Sequence, residues 1–299
     1  MKLLVTGAQG FVGRHFCAAA AAAWPHAALL TPTLDVTDRD AVFAAMMAET
    51  PDMVVHLAAI AANAVAKSDP QRAWSVNLFG TINIADAILA AGGAARLLFV
   101  SSSEVYGASF TAGIPLDETA LLQPQNLYAA TKAAAEMALC ALRPAGLRYV
   151  VMRPFNHIGP GQAEAFVVPA FAGQIARIEA GLSPPVLSVG NLAPARDFLD
   201  VRDVCAAYVA AIQHFEALAP GTILNVASGQ GVRIQALLDQ LLAMNASKIN
   251  VTVDPARLRG TEIDSAVGDA SRARALLGWM PTQDLGDTLA QVLAYARKK

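Results

Sequence analysis

An α/β fold is what this sequence predicts, a doubly wound parallel sheet with a smaller, discontinuous second domain. Three observations predict it. Short apolar runs alternate with alanine-rich or amphipathic runs through the first half of the chain. A glycine-rich turn follows the first apolar run. After Pro154 the alternation gives way to Gly- and Pro-rich segments. Brief, continuously apolar runs suit strands buried on both faces, and strands that alternate with helices pair in parallel.

Each element follows from its residues. "KLLVTG" is a short apolar run closed by glycine, a buried strand, and a helix is expected over 11–23. The second strand falls at 27–31. "DVTDRDAVFAAMMAE" opens on capping residues and continues as a helix. "DMVVHLAA" gives the third strand, 70–91 one long helix, and "RLLFVSSS" the fourth strand. "NLYAATKAAAE" is rich in the best helix former, and "LRYVVMRP" is the fifth strand. Beyond it, "FNHIGPGQ" and "GLSPPVLSVGNLAPARDF" read as irregular. A helix over 201–216 and the strand "TILNVAS" return to the sheet, and the C-terminal part is mainly helical with one strand, "INVTV". The expected division is a first domain of 1–154 plus about 196–227, and a second of about 155–195 and 228–299.

At 299 residues the chain can bury a large core. A net charge of −2 provides no global basic field for nucleic acid or an anionic membrane. Cys17, Cys140 and Cys205 are odd in number and match no metal motif, so they are expected to be buried thiols in a reducing compartment. The apolar start is too short for a signal peptide, and the apolar tract 17–24 is too short to span a bilayer. A soluble, cytoplasmic protein is expected.

Gly7, Gly10 and Gly13 stand at the spacing G-x-x-G-x-x-G, between the first strand and the first helix. A plain glycine turn would share the pattern, but the context is the one a dinucleotide requires. Glycines admit the pyrophosphate close to the backbone, and the helix N-terminus stabilises its charge. Gln9, Phe11 and Val12 complete that turn. No carboxylate closes the second strand to take the ribose 2′-hydroxyl of NAD. Asp35 and Val36 fall where the adenine should lie, and Arg14 is placed to meet a 2′-phosphate or simply solvent. NADPH is expected slightly ahead of NADH.

Tyr128 and Lys132 are four residues apart on one helix, hence on one face. An ammonium beside a phenol favours the phenolate, which would lower the tyrosine's pKa and make it a usable acid or base.

Gly7-x-x-Gly10-x-x-Gly13, "HLAA" at 56–59, "SSSEVYG" at 101–107, Tyr128-x-x-x-Lys132 and "RPFN" at 153–156 occur in this order. Together they resemble the extended short-chain dehydrogenase/reductase family of nucleotide-sugar epimerases, dehydratases and reductases, over the whole chain. The resemblance implies a Rossmann domain with a small sugar-nucleotide domain. It makes Tyr128 the general acid/base, Lys132 its electrostatic support and holder of the nicotinamide ribose, and Ser102 the hydroxyl that holds the reacting oxygen. It also places Leu57, Ala58, Ala59, Asn77 and Pro154 at the cofactor, although Asn77 could equally make a backbone contact at a helix kink. "RPFNHIGPGQ", "GNLAPARDFLDVRDV" and "RLRGTE" sharpen the resemblance toward the reductases of GDP-4-keto-6-deoxy-D-mannose, which make GDP-D-rhamnose. That implies substrate contacts at Ser103, Glu104, Asn156, Arg196, Arg259 and Glu262, with arginine forks on the diphosphate. His157 is expected to pack rather than react. Glu104 also matches the acid/base glutamate of the GDP-mannose 4,6-dehydratases. A homodimer through the Tyr128 helix and the helix at 70–91 is implied as well.

Overall fold

The computed structural model describes residues 1–245, 248–258 and 263–299. The first part of the chain runs β1 (Lys2–Thr6), α1 (Phe11–Ala23), β2 (Ala28–Leu30), α2 (Arg39–Glu49), β3 (Met53–His56) and α3 (Asn63–Ser68). It continues with α4 (Pro70–Trp74), α5 (Gly80–Ala90), β4 (Arg96–Val100), α6 (Leu127–Leu142) and β5 (Tyr149–Pro154). Then come β6 (Asn156–Ile158), α7 (Val167–Glu179), β7 (Val186–Val189), β8 (Ala195–Asp200), α8 (Val201–Gln213) and β9 (Thr222–Val226). The last elements are β10 (Gly231–Arg233), α9 (Ile234–Ala243), β11 (Asn250–Val253), β12 (Ser265–Ala266), α10 (Ser271–Leu277) and α11 (Leu285–Ala296).

Six strands form one sheet in the order β2-β1-β3-β4-β5-β9, all paired in parallel. The two-residue period of a strand sends its apolar residues to both faces. Leu3 and Val5 enter one core with Phe16, Val204 and Tyr208, whereas Leu4 enters the other with Val42, Ile84 and Leu139. Helices α1 and α8 therefore cover one face, and α2, α5 and α6 the other. Chain direction across the sheet reverses between β1 and β3, and in such sheets the crevice outside the carboxyl ends at that point is where ligands bind.

The remaining strands build a small sheet around β8, which pairs with β10, β12 and β6, and a separate parallel pair, β7 with β11. Helices α7, α9 and α11 bury Phe171, Ile175, Leu237, Leu241 and Leu289 in a third core. The sequence reading missed β6, β7, β8, β10 and β12. These strands have two to six residues, too few to show an alternation. The chain also rejoins the large sheet later than expected. Residues 196–200 lie in β8 of the small sheet, and the return begins with α8.

Two further expectations change. The helix over 70–91 is interrupted, because Ser75–Phe79 forms a π-helical turn between α4 and α5. Cys205 is buried and Cys17 half-buried, but Cys140 is exposed.

Candidate active site

The glycine turn is built for close approach. Gly7 has φ +70°, and a Cβ there would lie 2.7 Å from the Ala58 nitrogen. A Cβ on Gly13 would lie 2.2 Å from the Gly7 oxygen and 2.6 Å from Ala8 Cα. The turn is thereby pressed against Leu57 and Ala58, which follow β3. Helix α1 begins immediately after it, with Gly10 as its N-cap, no side-chain cap and no acidic residue in its first turn. Its N-terminal N–H groups and dipole face the crevice with no carboxylate competing for them. These features fit a dinucleotide pyrophosphate.

A directional hydrogen-bond chain underlies the turn. The Ala58 N–H donates to Thr6 Oγ1 (3.3 Å), which donates to His56 Nδ1 (2.7 Å). Thr81 Oγ1 donates to the Asn77 carbonyl (2.8 Å), so His56 Nε2 must donate to Thr81 (3.1 Å). The ring is thus a neutral Nε2–H tautomer. Burial, and secondarily the Lys132 charge, hold it down to about 3.

Asn77 sits in the π-helical turn and is 1% exposed. Its Oδ1 accepts the Ile60 N–H (2.8 Å), and its Nδ2 donates to the Ile60 carbonyl (3.2 Å) and Thr131 Oγ1 (2.9 Å). Both amide hydrogens are committed within the protein. This is the backbone contact at a helix kink that the sequence also allowed, and it braces the loop after β3 against α6.

Helix α6 carries the reactive pair. Asn126 Oδ1 caps it at the Ala129 N–H (2.8 Å), and Tyr128 and Lys132 are both buried. Ser102 follows β4 and accepts the Glu104 N–H at 3.2 Å, which leaves its own hydrogen for the Tyr128 oxygen. Ser103 is buried beside it. Glu104 Oε2 accepts from Asn126 Nδ2 at 2.7 Å and from Asn63 Nδ2 at 3.2 Å.

The electrostatics correct the sequence reading. Burial first, then the Glu104 charge, hold the Tyr128 phenol above its usual value, and the Ser102 hydrogen bond opposes them. Lys132 lies 4.2 Å from the Phe99 ring centroid, and burial pulls its ammonium down to about 7 against the attraction of Glu136. Desolvation of the buried phenol therefore sets the direction, opposite to the lowering expected from a neighbouring cation.

The outer parts of the site are less concentrated. The Arg14 guanidinium donates to the Gln9 carbonyl (2.6 Å) and the Gly161 carbonyl (3.4 Å). It thus bridges the glycine turn to the loop after β6, and the cation acting on Asp35 is Arg72. Asp35 accepts from the Thr37 N–H and hydroxyl, while Val36 is buried and its carbonyl accepts from Asn83 Nδ2 (3.0 Å). Gln9 is exposed, whereas Phe11 and Val12 are half-buried on α1. His157 stacks on Phe11 with centroids 6.2 Å apart, the packing role expected of it. Pro154 closes β5 and is buried. Asn156 begins β6 and is exposed, and Arg196 of β8 donates to the Ala195 (2.7 Å) and Ile263 (2.8 Å) carbonyls. Asn156 pairs with Phe198, so Asn156 and Arg196 share a face of the small sheet. Arg259 and Glu262 lie outside the described residues.

Sequence reasoning missed several supporting groups. Asn126 and Glu136 bound the stretch that drew attention to Tyr128, and an Asn before a helix is a cap signal. The aspartates of "RDFLDVRD" are tethers. Asp197 accepts from Ser228 N and Oγ, Gly229 N and Gly268 N; Asp200 accepts from Thr288 Oγ1; Asp203 accepts from Thr282 and Gln283.

Comparisons with known proteins identify the family. Residues 3–227 match the model of the NAD dependent epimerase/dehydratase family. The chain is 39% identical over 297 residues to the GDP-6-deoxy-D-mannose reductase of Pseudomonas aeruginosa, covering 98% of this chain and 96% of that one. It is 27% identical over 282 residues to the GDP-6-deoxy-D-talose 4-dehydrogenase of Aggregatibacter actinomycetemcomitans, covering 93% and 92%. Among solved structures, RMD from Pseudomonas aeruginosa complexed with NADPH superposes with a TM-score of 0.91 at 36% identity, over 99% of both chains. The Thermus thermophilus UDP-glucose 4-epimerase complex with NAD gives 0.85 at 27% identity, also over 99% of both.

Proposed function

This chain belongs to the NAD dependent epimerase/dehydratase family, and from that membership we propose that it reduces the C4 ketone of GDP-4-keto-6-deoxy-D-mannose to give GDP-D-rhamnose. The observation that carries the proposal is the 39% identity to a GDP-6-deoxy-D-mannose reductase along nearly the whole of both chains. The enzyme is an NAD(P)-dependent oxidoreductase.

A reduced nicotinamide, when bound, supplies the hydride that C4 accepts. The protein's part is to bind, orient and protonate. The glycine turn and the α1 N-terminus take the pyrophosphate, and Lys132 takes the ribose hydroxyls. Tyr128 gives its phenolic proton to the C4 oxygen as that oxygen becomes an alcohol. Burial and Glu104 keep the phenol protonated at neutral pH, the form a reduction consumes. Ser102 holds the same oxygen and steadies the phenolate left behind. Asn156 and Arg196 take the diphosphate, Ser103 and Glu104 the sugar, with Arg259 and Glu262 assigned to the GDP end.

The test uses purified protein, GDP-4-keto-6-deoxy-D-mannose and either NADPH or NADH, following reduced-nicotinamide absorbance and identifying the sugar by NMR. Rapid oxidation with the rhamno configuration at C4 is the expected result. The 6-deoxytalo configuration would replace the product with that suggested by the second relative. Consumption of GDP-mannose without added reductant would overturn the proposal and make Glu104 a dehydratase base. Tyr128→Phe is expected to lose about 10²–10⁴-fold in turnover while NADPH affinity changes little. Wild-type turnover in that variant refutes the assignment.

The same reading proposes a cytoplasmic homodimer through α6 and the helical run over 70–91, which is α4 and α5. Phe79, which precedes α5, and Met137 on α6 are 57% and 62% exposed, in keeping with a covered face there. Sedimentation of wild type and Met137→Lys tests this, since a monomeric wild type excludes it.

A further inference from the structure

Beneath Lys132 lies a buried carboxylate that the reaction as described does not use. Glu136 is one helical turn further along the inner face of α6 and is 6% exposed. Its Oε1 accepts from Ser101 Oγ and from Arg153 Nε (3.0 Å), and its Oε2 accepts from Arg153 Nη2 (2.6 Å). Arg153, 2% exposed, also donates through Nη1 to Tyr106 Oη (2.9 Å), which donates to Asn225 Oδ1 (2.7 Å). Three elements thus meet at one carboxylate. They are α6 with Tyr128 and Lys132, the end of β4 with Ser101 next to Ser102, and the end of β5 with Arg153 next to Pro154.

Buried ion pairs are seldom better for stability than apolar residues of the same volume, because both charges must leave water. A carboxylate set between two buried cations, one of them Lys132, therefore calls for an account beyond stability. The groups facing Lys132 define it. On its own helix these are Tyr128 and Glu136. From β3 comes His56, neutral and hydrogen-bonded to Thr6 and Thr81. From β4 comes the uncharged Phe99 ring. From β5 comes Arg153, a cation that Glu136 screens, and Glu104 acts on the far side through Tyr128. Glu136 is the anion that acts directly on the Lys132 ammonium.

We propose that Glu136 is a positioning residue for the reduction, holding Lys132 cationic at working pH and locking the Tyr128 helix to the strand ends that carry Ser102 and Pro154. This rests on the assignment of Tyr128 as the acid and Lys132 as its cation. Arg153 is the counterweight that fixes the carboxylate and limits how much of its charge Lys132 feels.

The experiment compares wild type, Glu136→Gln and Arg153→Met. It measures NADPH dissociation constants by calorimetry and turnover, each from about pH 5.5 to pH 9, with urea unfolding alongside. Removing the carboxylate is expected to move the Lys132 inflection in both profiles down by about one to two pH units, and removing the guanidinium is expected to move it up. Arg153→Lys, which keeps the charge, should restore the wild-type inflection. If Glu136→Gln does not fold, Glu136→Asp keeps the charge one methylene further back and should give a smaller downward shift. Lower stability in every variant, with inflections unmoved, would overturn the proposal and leave the pair purely structural. Tyr128→Phe separates the two readings. Full turnover there removes the premise, whereas a dead Tyr128→Phe beside an unshifted Glu136→Gln removes this inference alone.

Discussion

Replacing His56 by asparagine should flatten the acid limb of the stability curve. The wild-type ring is 1% exposed, accepts at Nδ1 from Thr6 and donates at Nε2 to Thr81, so a further proton would set two donors against each other. Burial and the Lys132 charge keep the native ring neutral down to about 3, against 6.5 when unfolded. As pH falls through 6.5 the unfolded chain takes up a proton that the native state refuses. The stability present above 6.5 is therefore lost progressively toward pH 3. At 1.36 kcal/mol per unit the whole interval corresponds to about 5 kcal/mol, and the stretch from 6.5 down to 4.5 to about 3 kcal/mol. Asparagine retains an acceptor near Thr6 but loses the Thr81 bond and part of the ring volume, costing about 1–3 kcal/mol at pH 8. Urea unfolding of both proteins at several pH values between about 8 and 4.5 should show a gap that closes, or reverses, with acidity. A gap constant to within about 0.5 kcal/mol would refute the buried neutral tautomer and its place beneath the glycine turn.

Other perturbations follow from the same contacts. Gly13→Ala puts a Cβ 2.2 Å from the Gly7 oxygen, so NADPH binding measured by fluorescence titration should fall at least about tenfold, and unchanged affinity would contradict the tight turn. Asn77→Leu leaves the Ile60 N–H and carbonyl without their buried partner and should cost about 2–4 kcal/mol in denaturant unfolding, with weakened NADPH binding. Asp197→Ala strands four donors from Ser228, Gly229 and Gly268. A loss of about 3 kcal/mol or more is expected, read as a lowered thermal midpoint, and a loss under about 1 kcal/mol would show the tether to be dispensable.

Much of the frame was legible because it is written locally. Strands such as "LLFV" and "YVVM" are apolar on both faces, and helices such as "LYAATKAAAE" carry their own propensity. The glycine spacing needs only the adjacent strand and helix to be meaningful. Short strands were illegible, since the three residues of β6 or the two of β12 acquire their state from β8. The π-helical turn at Ser75–Phe79 was hidden for a similar reason, as its stabilising bonds run from Asn77 to Ile60 and Thr131.

The identities of the reacting side chains, their spacing on α6 and the strand-turn-helix setting of the glycines belong to the sequence by itself, because each depends on neighbours within a turn or two. The charge states belong to the tertiary structure. Tyr128 stays a phenol, Lys132 is drawn down to about 7, and His56 is held neutral. Desolvation is set by everything packed around a group, and here β3, β4 and β5 bring that packing from residues dozens of positions away. Glu136, the carboxylate that acts on Lys132, is a helical turn away and could be read from the sequence, but the Phe99 ring over the ammonium and the Arg153 guanidinium that fixes the carboxylate arrive only with β4 and β5.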